Sequence, residues 1–473
     1  MSEQPVIWWV RRDLRLSDNP TLQKVLDAGG PVIPVFLCDE VLEGMGAAPK
    51  WRFGLGAVAF DKALREVGSR LIFRRGPAAK TLLALAEETE AGQVLWTRNY
   101  DPERREVDTD VKSALKDAGL QAESVAGHVL NEPWSVETGS GGFYKVYTPF
   151  WKAVRVRDFP EPISAPSKIP APTSWPQSDD IDGWGLGDAM ARGADVVRGH
   201  LCLGESAARG RLGAFIADGI GAYDKNRDRL DLDGTSGLSE PLAYGEIGIR
   251  TCWHAGARAM ADGKPGAETF LKELIWRDFA THLVFHTPHI TSGNWRPEWD
   301  AFPWNEDERL AEVRAWKRGR TGVRVVDAAM RELYVSGRMH NRTRMLVASY
   351  LTKHLMCHWK IGLNWFADCL VDWDPASNAM GWQWSAGSGP DATPYFRVFN
   401  AETQAEKFDP AETYRRRWLA EGQGDPGAEA LSFFDAIPSS WGMAQGDGYP
   451  SQPIVSMSAG RDRALAAYKN RDF

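Results

Sequence analysis

No uninterrupted apolar run of the length a membrane helix needs, about 18 residues or more, occurs in this chain. Its start, MSEQPVIWWVRRDLR, meets charge within a few residues and lacks the apolar core of a secretion signal. Cysteine is sparse: five in 473 residues (Cys38, Cys202, Cys252, Cys357, Cys369), with no CxxC pair. That excludes a disulfide framework and leads us to expect a reduced, soluble, cytoplasmic protein. Also missing are G-x-S-x-G, a Walker loop, G-x-G-x-x-G and HExxH. His282 and His286 stand four apart, as do His354 and His358, a spacing that can seat a metal. No pair of cysteines joins either pair and no carboxylate sits beside them at ligand spacing, so no metal is expected. GSGG at 139–142 reads as a plain loop.

One absence is local. Between Glu332 and Asp368 there is no acidic residue, while Arg338, Arg342, Arg344, Lys353 and Lys360 lie there among His340, Tyr350 and Trp359. The net charge of −7 and pI near 5.8 argue mildly against a nucleic-acid partner. Phosphate binding depends on a local patch and not on the total. Basic groups interleaved with aromatics fit a polyanion whose bases can stack, or simply a solvated helix face.

What the chain has in excess is tryptophan, 21 residues. NAMGWQWSAG (378–387) places Trp382 and Trp384 a single residue apart, with no histidine, cysteine, lysine or carboxylate among them. Helical neighbours two apart point to nearly opposite sides. One ring can face inward and the other a cavity, which is an odd use of two large aromatics for core filling.

The length suggests two domains. Strand and helix signals alternate at first: VIWWV (6–10), a capped helix over 17–30, VIPVFLCD (32–39), a helix over 51–68, RLIFRRG (70–76), a helix over 79–92, QVLWT (93–97) and a helix over 103–119. Continuous apolar strands between helices predict a doubly wound parallel sheet over 1–130. Residues 157–188, rich in Pro, Ser and Asp, read as an extended stretch without a core, within a linker spanning 131–199. From 200 to 473 strand signals vanish and an all-helical domain is expected, TRMLVASYLTKHLMCHW among its helices and Gly337 as a helix stop. The irregular stretch GQGDPGAEALSFFDAIPSSWGMAQGDGYPSQP (422–453) adds no motif.

Two further motifs carry polar chemistry. DGTSGLSEPLAYGEIGIR (233–250) packs hydroxyls among glycines, a pattern that serves a phosphate or an ordinary helix cap. VDWDPASN (371–378) sets Asp372 and Asp374 two apart. Such carboxylates can serve acid–base chemistry, accept N–H bonds from a cofactor or pair with arginine, and the local sequence does not choose.

Together these stretches resemble the photolyase/cryptochrome family. WVRRDLRLSDNPTL (9–22), DGTSGLS, FLKELIWRDF (270–279), KRGRTGVRVVDAAMRELYVSGRMHNRTRM (317–345) and DWDPASNAMGWQWSAGSGPDATPYFRVFN (372–400) look like its signatures, in order, over about 6–419. The helical part is most similar to class I cyclobutane pyrimidine dimer photolyases. The resemblance implies a Rossmann-like antenna domain and a helical domain holding non-covalent FAD, active as the fully reduced anion. Tyr223, Thr235, Ser236, Gly237, Leu238, Ser239, Phe270, Arg344, Asp372, Trp373, Asp374 and Asn378 match its FAD-binding residues. Asp372 would pair with Arg344, Asp374 would accept from the flavin ring, and Asn378 would face its reactive nitrogen.

The same resemblance divides the tryptophans. Trp382, Trp359 and Trp304 match an electron-hopping chain, with Trp299 a rival for the last place. Trp384 and Trp276 would sandwich a flipped-out dimer. Glu273 and Asn341 would bond its edges, Met345 would pack on it, and Arg277, Arg342, Arg397, Gln404 and Lys407 would meet the DNA. No general acid, nucleophile or metal is needed, since the hard chemistry belongs to the cofactor. Met380 stands where a smaller residue is usual.

A second, light-gathering chromophore is a family trait, and NYDPERREVD (99–108) resembles its region. Glu103 fits a folate contact, but Pro102 replaces an expected Asn and the lysines expected near 291 are absent, so methenyltetrahydrofolate, a deazaflavin or neither stays open. The expectation is a monomeric enzyme that repairs dimers in DNA by light-driven electron transfer. Two readings compete: a (6-4) photolyase, which carries histidines where Asn341 and Met345 stand, and a cryptochrome-type blue-light receptor.

Overall fold

A computed structural model describes residues 4–391 and 396–473. Residues 392–395, part of the 372–400 motif, lie outside the described residues.

Five strands form one parallel sheet: β1 (Val6–Val10), β2 (Val32–Cys38), β3 (Ile72–Arg75), β4 (Gln93–Thr97) and β5 (Gln121–Val125), in the spatial order β3-β2-β1-β4-β5. The register sets Val6 beside Val32 and Gln93. Every residue of β1 and β2 is buried because both faces are covered. Side chains alternate as a strand requires. Val6, Trp8 and Val10 join Phe36 under helices Pro20–Asp27 and Ala47–Glu66. Ile7 and Trp9 join Val35, Leu37 and Trp96 under helices Ala78–Thr89 and Pro102–Asp117. Asn19, Asp39 and Asp101 each cap a helix with a side-chain oxygen. β5 was not anticipated, for QAESV is too polar to read as a buried strand; it is an edge strand, mostly half-buried or exposed.

The stretch 157–188, expected to be extended and without a core of its own, runs along the sheet domain, extended apart from a short helical turn at Ile181–Trp184. Ile169 is fully buried in the first sheet face, and its N–H donates to Val67 O at 2.9 Å. Asp179 N–H reaches Phe73 O at 2.8 Å.

The remainder is helical, apart from one isolated bridge between Asn305 and Cys357. One apolar cluster surrounds helices Ile249–Ala261 and Ala267–His286, and another surrounds Arg324–Ser336, Asn341–Ser349 and Trp359–Cys369. Helix Pro375–Ala386 packs against Ala267–His286, Asn341–Ser349 and Trp359–Cys369, so it lies on the seam between the clusters. The pattern read as one helix over 343–359 is broken. A π-turn at Tyr350–His354 and a left-handed Met356 (φ +54°) end it, and His358 caps the next helix. Helix Ala428–Ala436 orders part of the stretch 422–453 read as irregular, and helix Met457–Lys469 follows it.

Buried ion pairs join sheet domain to helices. Arg52, fully buried, donates to Glu240 and Glu246 at 2.6 Å each, and Ala47 N–H reaches Asp368 Oδ1 at 2.9 Å.

Candidate active site

Helix Pro375–Ala386 begins at Asp374, whose Oδ1 accepts from Ser377 N–H at 2.9 Å. Its Oδ2 accepts from Arg12 Nη2 at 2.8 Å, and Arg12 stands just past the end of β1. Burial opposes ionisation of Asp374, yet Arg12 and Arg277 outweigh it and hold the carboxyl far below its ordinary range. Burial first, then Arg12 and Arg277, keep neighbouring His128 neutral. One turn into the helix, Asn378 is buried, and its Nδ2 donates to Asp374 O at 3.0 Å. Arg344 Nη2 grips both oxygens of Asp372, at 2.9 and 2.7 Å.

The two tryptophans do face apart: Trp382 is 3% exposed, and Trp384 is half-buried. The Trp382 ring meets Phe366 (centroids 4.9 Å) and Trp316 (6.2 Å). A Cβ on Gly362 would penetrate that ring, so only glycine admits it. Trp359 is fully buried and donates to Asn294 Oδ1 at 2.8 Å. His358 lies 5.3 Å from both Trp359 and Trp304. Trp304 in turn stacks 5.7 Å from Trp299, which Tyr468 and Phe473 flank at 6.2 and 5.5 Å. Trp304 therefore stands on the Trp359 side, and Trp299 beyond it.

Glu273 and Trp276, three apart, share one face of helix Ala267–His286. Both are half-buried. Glu273 pairs with Arg227. Trp276 stacks on Tyr147, with centroids 3.6 Å apart and planes within 7°. Tyr147 is itself held, its hydroxyl donating to Lys272 O at 2.7 Å and its N–H to Asp391 Oδ1 at 2.9 Å. Asn341 is exposed at the start of its helix, with Met345 half-buried one turn on. Arg342 pairs with Asp228 at 2.5 Å and covers Phe408. Arg397 is exposed, and its carbonyl accepts from buried Lys353. Gln404 lies on helix Ala401–Phe408 and Lys407 on the same helix, exposed. Arg277 is half-buried, donates to Leu242 O at 3.4 Å and lowers the carboxyl of Asp374.

Tyr223 and Phe270 are buried against Phe215. Thr235, Ser236 and Gly237 form a half-buried turn with Gly237 left-handed (φ +60°), before buried Leu238 and exposed Ser239. Arg211 donates to Gly237 O at 3.0 Å. Trp373 is half-buried beside the larger helical cluster. A Cβ on Gly381 would meet nothing within 4 Å, so there is open space beside helix Pro375–Ala386. Hydroxyls with a nearby cation suit phosphates, and an apolar wall with buried amide and carboxylate acceptors suits a flat ring carrying N–H groups. The residues fit FAD.

Reading the sequence overlooked Arg12, Tyr147 and Arg227. Arg12 stood in the WVRRDLR signature with no role given. Tyr147, in YTPFW after a glycine loop, offered only a concentration of aromatics. Of the histidines, His282 Nδ1 and His286 Nε2 approach Pro133 O at 3.0 and 3.2 Å.

A partly open pocket lies at the ends of β1 and β2, lined among others by Trp9, Arg11, Arg12, Phe36, Asp39 and Arg104. Open α/β sheets bind ligands at that end of their strands. Glu103 is exposed and is not among its lining residues.

The chain's relatives accord with this arrangement of a parallel-sheet domain joined to a helical, flavin-binding one. Residues 6–168 match the DNA photolyase model, and residues 270–470 match the FAD binding domain of DNA photolyase. The chain is 42% identical to the deoxyribodipyrimidine photo-lyase of Agrobacterium fabrum, over 98% of this chain and 97% of that one. It is 34% identical to the enzyme of the same name from Escherichia coli, over 98% of each. The chain belongs to the DNA photolyase family. Among solved structures, a class III photolyase from Agrobacterium tumefaciens superposes with a TM-score of 0.89 at 41% identity, covering 99% of this chain and 98% of that one. An archaeal photolyase from Sulfolobus tokodaii with two FAD molecules gives 0.79 at 28%, over 99% and 100%. A Synechocystis cryptochrome gives 0.83 at 26%, over 99% of each. At the finer level of subclass, where the motifs suggest class I, the Agrobacterium tumefaciens structure is a class III enzyme. Among the described residues no helix is long and apolar enough to cross a membrane.

Proposed function

We propose that the chain repairs DNA by splitting cyclobutane pyrimidine dimers in light. The observation that carries the reading is the packing of helix Ala267–His286, which bears Glu273 and Trp276, against helix Pro375–Ala386, which bears Trp384, in a chain whose relatives are named deoxyribodipyrimidine photo-lyases. FAD, bound as its reduced anion, supplies an electron after absorbing light.

The protein's own residues bind, orient and insulate. Trp276 and Trp384 offer stacking faces, worth about 1–3 kcal/mol per base, which offsets the few kcal/mol of extruding a nucleotide. Glu273 and Asn341 receive the pyrimidine edges, and Met345 packs against them. Arg342, Arg397, Lys407 and Gln404 meet the strand. Asn378, Asp372 and Asp374 face the flavin ring, and Thr235, Ser236 and Ser239 its phosphates. Trp382, Trp359 and Trp304 would carry electrons inward to an oxidised cofactor, the short separations from Trp359 through His358 to Trp304 favouring Trp304 over Trp299. The aromatic walls of the pocket at the ends of β1 and β2, with Arg11 and Arg104, suit a flat anionic second chromophore. A monomer in the cytoplasm completes the reading, in keeping with five unpaired cysteines.

The test is repair of a dimer-containing oligonucleotide by reduced holoenzyme. Repair in light and none in darkness is expected. Equal repair in darkness excludes photochemistry, and no repair in light with FAD intact favours the photoreceptor reading.

A further inference from the structure

We propose that Arg12 is a positioning residue for the light-driven reaction: reaching out of the sheet domain, it fixes Asp374 and thereby sets the Asn378 amide with its oxygen presented as an acceptor. The inference rests on the reading that Asn378 faces the flavin.

Arg12 is 6% exposed, and its guanidinium is committed at both edges. Nε donates to Ala243 O at 2.5 Å and Nη2 to Asp374 Oδ2 at 2.8 Å. The backbone around it is clamped to the same helical segment. Leu14 N–H donates to Tyr244 O at 3.3 Å, Arg15 Nη1 to Gly245 O at 2.9 Å, and a Cβ on Gly245 would strike the Arg12 carbonyl. Arg12 thus enters the helical domain as a rigid strut.

Asp374 has little freedom left. One carboxylate oxygen holds Arg12, and the other holds Ser377 N–H at 2.9 Å. Its carbonyl accepts both the backbone N–H and the Nδ2 of Asn378, each at 3.0 Å. A carbonyl only accepts, so the amide nitrogen must face it and the amide oxygen must face away. A reduced flavin carries an N–H at the ring nitrogen that the oxidised form leaves bare. An acceptor aimed there favours the reduced form.

The test uses full-length Arg12→Gln and Arg12→Lys. In flavin-free protein, hydrogen exchange at the Ser377 and Asn378 amides should quicken roughly tenfold in Arg12→Gln, the factor of one ordinary hydrogen bond, and less in Arg12→Lys. In reconstituted holoenzyme, the ratio of reduced to oxidised flavin at a fixed solution potential should fall by a similar factor of roughly ten, with partial recovery in Arg12→Lys. Unchanged exchange overturns the strut. Quickened exchange with an unchanged redox ratio overturns the assignment of Asn378 to the flavin. Should Arg12→Gln not fold, Arg12→Lys, which keeps the charge without the fork, gives both readings at smaller amplitude.

Discussion

Trp382 and Trp384 differ by two positions and by environment. The inner ring is walled by Phe366, Trp316 and the bare Cα of Gly362, while the outer ring keeps a half-open face. Their tasks separate accordingly. Trp382→Phe should slow photoreduction of oxidised FAD at least tenfold, on the order of 1.4 kcal/mol or more in barrier, and leave repair by chemically reduced enzyme within about twofold. Transient absorption and repair turnover on the same sample check this, and parallel loss of both would merge the two roles. The opposition of these rings was legible in the sequence, because helical geometry alone dictates it. The stack of Tyr147 on Trp276 was not, since 129 positions separate the two rings and no periodicity links them.

Elements were legible where burial was two-sided. β1 to β4 are apolar runs between capped helices, and their hydrophobicity declares them. β5 escaped because an edge strand can stay polar. The break after Tyr350 escaped because Leu351, Leu355 and Met356 keep an apolar pattern straight through it; hydrogen bonding to Asn305, not side-chain pattern, ends the helix. That π-turn also buries Lys353, 2% exposed, over the Phe396 face and beneath the Arg397 carbonyl. Burial, with Arg397 adding to it, pushes its ammonium down to about 7. A lysine whose folded value is depressed costs stability while it stays charged. The cost is full below pH about 7 and fades as pH rises toward the ordinary value of 10.5. Lys353→Met should therefore remove part of the wild type's gain in stability over that window, ~1–4 kcal/mol. Urea unfolding of both proteins at pH 6.5 and 9.5 gives the comparison. A pH-independent difference would show that Lys353 keeps a carboxylate or water partner.

Across the whole molecule, the two domains are held by charges that no local reading could pair. Arg52 lies 188 positions from Glu240 and 194 from Glu246, and Arg12 lies 362 from Asp374. Composition reported an acidic protein; only the fold shows where the basic groups gather and where they are neutralised. Arg52→Met should leave two buried carboxylates short of a partner, with Arg338 still holding Glu240. A loss of ~3–5 kcal/mol is expected, visible as lower denaturant resistance and as separate unfolding of the sheet and helical halves. Single-step unfolding at wild-type midpoint would show the network to be dispensable.

With one side of Trp276 permanently occupied by Tyr147, any flat guest must approach it from the other. On the proposed reading, a seat with a single free side would be chiral toward its guest, so that two lesions mirror-related across the ring plane would not sit in it equally well. Part of the stereochemical choice would then come from what the protein has already covered.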